Sequence, residues 1–410
     1  MKPIALYIDP GTGAMFFSFL MGLISILLFG LRGLVIKVKF LIAGGKVSDE
    51  SNDKLPLVIF AEGRRYWNVF KPVCDELERR KFTCEYWTTS EDDPAFLMEY
   101  EYVKAKYIGE GNKAFAKLNL MNAYMCLSTT PGLDVYQWKR SKDTKQYIHI
   151  FHNVAASSLY KMFGLDFYDV VLTTGDVEEE YIRRLEEVRN LPRKEVKVVG
   201  CTYLDDLLER IKKSEASNHK GVVVLLAPSW GKNSITNKYG EKFIDALIKT
   251  GYKIIFRPHP QSFTADKEIM DMLQKKYQNS DMFTWDRNSD NFPSLSEADI
   301  LVSDFSGIVN DFAFCFNKPV MYANTNFDYS QYDAWWLDGD SWKTNGLACL
   351  GKEICDDDFG RLKEVIDELL TEKIHREKRE AERDNAWKNV GHAAESIADY
   401  LIKKYVELSE

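Results

Sequence analysis

The sequence predicts an α/β protein made of two Rossmann-like domains that face each other across a cleft. Three observations carry that expectation. First, short apolar runs of strand length alternate with helix-compatible stretches, once over residues 55–200 and again over 221–323. That rhythm is the mark of a parallel sheet covered by helices on both faces. Second, a charged and then polar stretch ending in "SEASNHK" (214–220) interrupts the rhythm and separates the two series. Third, 410 residues exceed what one ordinary core accommodates.

Ahead of the first strand, residues 14–31 ("AMFFSFLMGLISILLFGL") form 18 positions without a charge. At ~1.5 Å per residue a helix of that length spans about 27 Å, close to a bilayer core of roughly 30 Å. Arg32, Lys37, Lys39 and Lys46 follow it, whereas Lys2 alone precedes it and is offset by Asp9. The positive-inside rule then leaves the bulk of the chain in the cytoplasm, tethered to the cell membrane by a single pass. An interfacial or re-entrant segment is one alternative. A cleaved signal peptide is another, but it lacks a basic n-region and a small-residue cleavage site. The expected division is an anchor at 1–46, a polar linker at 47–54, one domain at 55–205 and a second at 220–410. The tail, 357–410, reads as two charged amphipathic helices.

The elements follow in order. "LPLVIFAEG" (55–63) is a strand, and 66–80 a helix. "FTCEYWTT", "AKYIGE" and "AYMCLSTT" are strands. "QYIHIFH" is a strand ending at His152; "YDVVLTTG" and "EVKVVG" close the first series. In the second series "GVVVLLAPSW", "YKIIFRPHP", "ADILVSDFSG" and "KPVMYA" are strands running into loops or helix starts. Ligands of such folds bind at the carboxyl ends of the strands, so those ends hold the candidate residues.

A net charge of −8 argues against a nucleic-acid partner, because no basic excess exists to neutralise phosphates. Seven scattered cysteines, odd in number and without a CxxC pair, read as reduced thiols. No cluster with metal-ligand spacing is evident; a divalent ion bridging substrate phosphates is left open, and no other cofactor is expected.

Four stretches carry chemistry. In Arg257-Pro258-His259-Pro260 each proline holds the residue before it extended, so a guanidinium and an imidazole are fixed at a strand end, suited to a phosphate. A rigid turn with a capping histidine accounts for the same residues. In "SDFSG" Ser303, Asp304, Ser306 and Gly307 sit where a strand becomes a helix, offering hydroxyls and free amides to phosphate, or an ordinary N-cap. Asp311 lies further along that helix. His152 ends a strand and is placed to act as a general base; His149 has the opposite strand parity and should not share its site. Ser229 and Lys232 stand in "APSWGKN", which offers them and its backbone amides to the cleft as contacts for the donor phosphates; in the matching loop of the first series Gly63 permits close backbone approach, while Glu62, Arg64 and Arg65 have no assigned task.

Taken in order, His152, Pro228-Ser229-Trp230, Arg257–Pro260 and Ser303-Asp304-Phe305-Ser306, with "DFAFCFNKPVMYA" after them, resemble the CDP-glycerol glycerophosphotransferase family of teichoic-acid-type polymer synthesis. The resemblance covers about half of the chain. It implies a GT-B arrangement, a CDP-linked donor in the second domain and a lipid-linked or cell-envelope glycan acceptor at the membrane. It also implies His152 as the base, His259 and Arg257 at the pyrophosphate, and Ser303 and Ser306 at the phosphates. The chain departs from the family at Asn153-Val154, Gly231 and Gly307. Two other functions fit the same fold: a nucleotide-sugar glycosyltransferase for a surface polysaccharide, and an inactive membrane-bound nucleotide-binding scaffold.

Overall fold

Two all-parallel sheets organise the chain. The computed structural model describes residues 54–154, 160–214, 219–278, 280–288, 290–325, 330, 332–333 and 342–410. The apolar span at 14–31 and the linker up to residue 53 lie outside the described residues. Among the described residues no helix is long and apolar enough to cross a membrane.

The first sheet comprises β1 (Leu55–Ala61), β2 (Cys84–Thr88), β3 (Val103–Tyr107), β4 (Ala123–Ser128), β5 (Thr144–Ile150), β6 (Val170–Thr173) and β7 (Glu195–Val198), in the order β3-β2-β1-β4-β5-β6-β7. The second comprises β8 (Val223–Leu226), β9 (Lys253–Phe256), β10 (Phe283–Trp285), β11 (Ile300–Ser303), β12 (Val320–Ala323) and β13 (Gly351–Ile354), in the order β10-β9-β8-β11-β12-β13. Inner strands such as β6, β8, β11 and β12 are buried at every position. They read as unbroken apolar runs because helices cover both faces. The edge strands β3 and β7 alternate buried or half-buried with exposed positions, and they carry Lys and Glu on the exposed ones, which discourages pairing with another chain. In each sheet the strand order reverses once, between β1 and β4 and between β8 and β11. Loops that leave those strands at their carboxyl ends diverge and open a crevice.

Two short strands, β10 and β13, were not legible as strands. β10 has three residues and β13 four, too few for a periodic signal. The tail also differs from the expected pair of helices. It contains three, Leu362–Thr371, Ile374–Ala386 and Ala393–Ser409.

The last of them does not remain with the second sheet, which corrects the expected 220–410 domain. Ile397, Ala398 and Leu401 are buried in the first core with Val73, Leu77 and Met125. Asp205 fixes the return, its two carboxylate oxygens accepting from the Gly391 and Ala393 amides at 2.7 and 2.9 Å. An amphipathic helix declares that it has an apolar face but not which core receives it.

The halves are joined by more than this helix. Lys161 pairs with Tyr332 as an isolated antiparallel bridge. Asp333, which is 1% exposed, accepts from the Phe163 amide at 2.9 Å and pairs with Arg189, which also holds Asp166 at 2.6 Å. Residues Leu55–Glu410 form one compact unit.

Leu401 tests the return of the last helix. Leu401→Ala removes a fully buried side chain from the first core, and large-to-small changes of this kind cost about 2–5 kcal/mol. Urea unfolding should show that loss. A change under about 0.5 kcal/mol is what a helix lying loose on the surface would give.

Candidate active site

The loops at the carboxyl ends of the strands bring groups from both halves together. In the first half β5 ends at Ile150, and His152 stands two residues beyond it. Its Nδ1 lies 3.2 Å from the Thr129 hydroxyl, and the Tyr66 ring meets it edge-on at 5.6 Å between centroids. Burial and, to a smaller extent, the positive charge of Arg65 lower its pKa to about 4. The ring is therefore neutral at pH 7. When Nδ1–H donates to Thr129, the lone pair of Nε2 is left to accept a proton.

His149 is fully buried and faces the Tyr160 hydroxyl at 2.9 Å, among Phe151, Tyr160 and Tyr168. Burial, then its neighbour His152, lowers its pKa to about 3. It is a packed ring behind the site, as strand alternation predicts.

In the second half the Arg-Pro-His-Pro turn separates its two basic groups. Arg257 donates to Asp286 Oδ2 at 2.5 Å and to the Asn288 carbonyl at 2.8 Å, with its side chain 12% exposed. A buried carboxylate thus holds the guanidinium, and the same side chain borders a cavity with Pro260, Phe263 and Asn288. Asp286 follows β10, the strand too short to be read, so its position was not legible.

His259 is exposed, and its Nδ1 accepts from the Gln261 amide at 3.1 Å. That bond places the proton of the neutral ring on Nε2, the opposite tautomer to that described for His152. Although the ring reaches solvent, the protein packed around it partly desolvates it, and this, then Arg65, lowers the pKa of His259 against the opposing charge of Asp266. The exposed Trp230 ring lies 6.2 Å away, tilted by 31°.

Asp304 is fully buried at the reversal point of the second sheet. Its Oδ1 accepts from the Ser229 amide at 2.9 Å and the Ser229 hydroxyl at 2.6 Å, and its Oδ2 from the Ile235 amide at 2.8 Å. Burial raises its pKa, while these donors and the Ser306 amide work to lower it. Ser303 is also fully buried and donates to the Ala227 carbonyl at 2.6 Å. Ser303, Asp304 and Ser229 therefore tie the loops after β8 and β11 to one another. The groups left facing outward are the half-exposed Ser306, whose hydroxyl makes no hydrogen bond among the described residues, and Gly307. Lys232 is exposed on the β8 loop and makes no ion pair among the described residues.

Sequence reasoning missed Arg65 and Asn153. Arg65 lowers the pKa of both His152 and His259, so one guanidinium stands near two histidines from different sheets. The loop that carries it turns at Gly63, whose φ of +151° disfavours any other residue. The Arg64-Arg65 doublet after a strand ending in Gly was the available signal. Asn153 follows His152 and lies against Gly307 of the other half. Among the described residues no three His, Cys, Asp or Glu side chains gather as metal ligands.

With this geometry in place, the likeness to known proteins is informative. Residues 168–345 match the family described as CDP-Glycerol:Poly(glycerophosphate) glycerophosphotransferase. The resemblance is borne out over that stretch, which holds three of the four motifs and leaves His152 ahead of it, and the chain is a glycerophosphotransferase-like enzyme. Among solved structures, the wall teichoic acid polymerase TagF is similar at 14% identity and a TM-score of 0.59, covering 93% of this chain and 99% of that one. An S. aureus MnaA–UDP structure is similar at 16% identity and a TM-score of 0.59, covering 86% and 98%. UDP-GlcNAc 2-epimerase from Neisseria meningitidis, bound to UDP-GlcNAc, follows at 15% and 0.52, covering 85% and 99%. At such identities these structures show a shared GT-B-like α/β fold and nothing further. A search of curated protein sequences finds no match.

Asp311, eight residues beyond the end of β11, is a buried carboxyl outside the facing groups. Tyr203 donates to its Oδ2 at 3.3 Å, and its Oδ1 is buried without a partner. Burial raises its pKa from 3.8 to about 7, with the Tyr203 bond opposing. A folded pKa above the unfolded one gives stability that is complete below the unfolded value and lost as pH rises through the folded one. Asp311→Asn should therefore gain stability relative to the parent as pH rises from about 4 to 7, and hold that gain above. Urea unfolding across pH 4–8 measures it; a difference independent of pH would show that the carboxyl is ionised in the fold.

Proposed function

We propose that this glycerophosphotransferase-like enzyme moves glycerol phosphate, or a similar polyol phosphate, from a CDP-linked donor to a hydroxyl of a lipid-linked or cell-envelope glycan. The observation that carries the reading is the pair of histidines. They come from different sheets, both feel the charge of one guanidinium, and each Nδ1 has a fixed neighbour, the Thr129 hydroxyl for His152 and the Gln261 amide for His259.

In this reading the first half takes the acceptor and the second the donor. His152 Nε2 removes the proton of the acceptor hydroxyl as its oxygen attacks the β-phosphorus. The bond from that phosphorus to the bridging oxygen breaks, and CMP leaves with the electron pair. The growing negative charge meets His259 Nε2–H, Arg65, the Ser306 hydroxyl and the Gly307 amide. Positioning and electrostatic stabilisation supply most of the rate in such transfers. Arg257 contributes indirectly, by holding Asn288 and the turn on which His259 stands. The apolar span at 14–31 is proposed as a single-pass anchor that keeps the catalytic halves at the cytoplasmic membrane face, where a lipid-linked acceptor is met.

The division of labour is tested by two variants. His259→Ala should weaken CMP and CDP-glycerol binding as well as turnover. His152→Ala should leave donor binding nearly intact and lower turnover by ~10²–10⁴, the usual worth of a general base. A base must be unprotonated, so kcat/KM should rise with pH along an acid limb below the ordinary histidine value and level off above it. Bound donor phosphates favour the imidazolium, so the limb in kcat should lie at higher pH than that in kcat/KM. His152→Ala should abolish both limbs. Full turnover in His152→Ala, or unaltered donor affinity in His259→Ala, would refute the assignment. Melting temperatures with CDP-glycerol, CDP-ribitol, UDP-sugars and CMP test the donor class, since a ligand of the folded state raises stability. A shift with UDP-sugars alone would favour a glycosyltransferase.

The anchor has its own test. Deleting residues 1–46 should release a folded protein that no longer sediments with vesicles, because the first strand begins at Leu55. Quantitative sedimentation of the truncated chain would exclude the anchor as the cause of membrane binding.

A further inference from the structure

We infer that the second half of the molecule sets the position of His152, through a strap in which Asn310 holds Val154 and Gly307 makes room for Asn153. The inference rests on the reading of His152 as the base, and it makes Asn310 a positioning residue for that base.

The contacts of the His152 ring with Thr129 and Tyr66 belong to the first half. The two residues that follow His152 belong elsewhere. Val154 is fully buried in a core with Leu301, Val309 and Phe312 of the second half. Its carbonyl accepts from Asn310 Nδ2 at 2.5 Å, and Asn310 is itself 8% exposed. Both partners are out of water, so losing the donor leaves a buried acceptor unsatisfied.

Asn153 packs closely against the same turn. A Cβ at position 307 would lie 3.0 Å from Asn153 Nδ2, closer than such contacts normally come. The backbone of Gly307 has φ −63° and ψ −20°, open to any residue. Glycine is needed there for space, not for conformation.

A buried hydrogen bond at Val154 and close packing at Asn153 leave His152 little freedom of its own. One residue of chain spans only ~3.3 Å, so a displacement of the 306–310 turn reaches the base almost undiminished. That turn also carries Ser306 and Gly307, which face the donor side. The base and the phosphate-facing groups are thus mounted on one local unit drawn from both halves, and their separation is held by Asn310.

The test uses the full chain with CDP-glycerol as donor and a synthetic lipid-linked saccharide as acceptor, following CMP release. Asn310→Leu keeps the volume and removes the donor. It should lower kcat by about 10–100-fold, the scale of a misplacement near 1 Å, and leave the CMP dissociation constant within about twofold. Placed in a His152→Ala background, the same change should have no further effect on the residual rate. Gly307→Ala removes no hydrogen bond and should melt like the parent, so it serves where Asn310→Leu folds poorly. It should also lower kcat, and adding Asn153→Gly, which removes the crowded amide, should restore part of that loss. The inference is overturned if Asn310→Leu and Gly307→Ala keep the parental kcat. It is also overturned if Asn310→Leu costs the same factor with and without His152, since the residue would then act by another route. A His152→Ala variant with parental turnover would remove the functional reading itself, and this inference with it; that outcome is distinguishable because it needs no change at Asn310 or Gly307.

Discussion

The buried carboxylate of Asp304 is the tie on which the donor-side edge of the molecule depends. It sits at the point where the strand order of the second sheet reverses, between β8 and β11. There it gathers the Ser229 amide and hydroxyl, the Ile235 amide and the Ser306 amide. A carboxylate in a low-dielectric interior is costly unless its oxygens are satisfied, and hydrogen bonds to a charge are about twice as strong as neutral ones. The two loops therefore cannot drift apart without stranding the charge. Ser229 and Ser303 are used up in this knot, which leaves Ser306, Gly307 and His259 as the groups that face outward.

The first half is attached to that edge by its own chain. The 152–154 segment crosses into the second half, Asp333 crosses in the other direction to Arg189, and the helix Ala393–Ser409 returns to the first core. These links join the two halves at several places along their length. Arg65 completes the arrangement electrostatically. It disfavours the imidazolium form of both rings in the absence of an anion, and a bound phosphate reverses the sign of that field. The free protein thereby favours the neutral form of both histidines, and the Gln261 amide leaves His259 with its proton on Nε2.

Much of this was legible in the residue order. Apolar runs of four to seven residues with helical stretches between them can be buried on both faces only in parallel sheets, so the two Rossmann-like halves followed from periodicity. The position of His152 just past a strand, the stiffness of Pro258-His259-Pro260 and the strand-to-helix change at Ser303–Gly307 are local properties, set by a few neighbouring residues, and they stand as read. The motifs also carried the family resemblance. Sequence could not decide how the side chains at those places are employed. Arg257 and Ser303 have the right chemistry for phosphate, yet Asp286 claims the one and the Ala227 carbonyl the other. These partners stand just after β10 and β8, 29 and 76 residues away along the chain. The destination of the last helix, the nearness of Arg65 to two histidines and the fit of Asn153 against Gly307 are likewise pairings between distant segments. A local pattern specifies that a group is polar, rigid or at a strand end; which partner satisfies it is a matter of distance in space, and only the tertiary structure sets that distance.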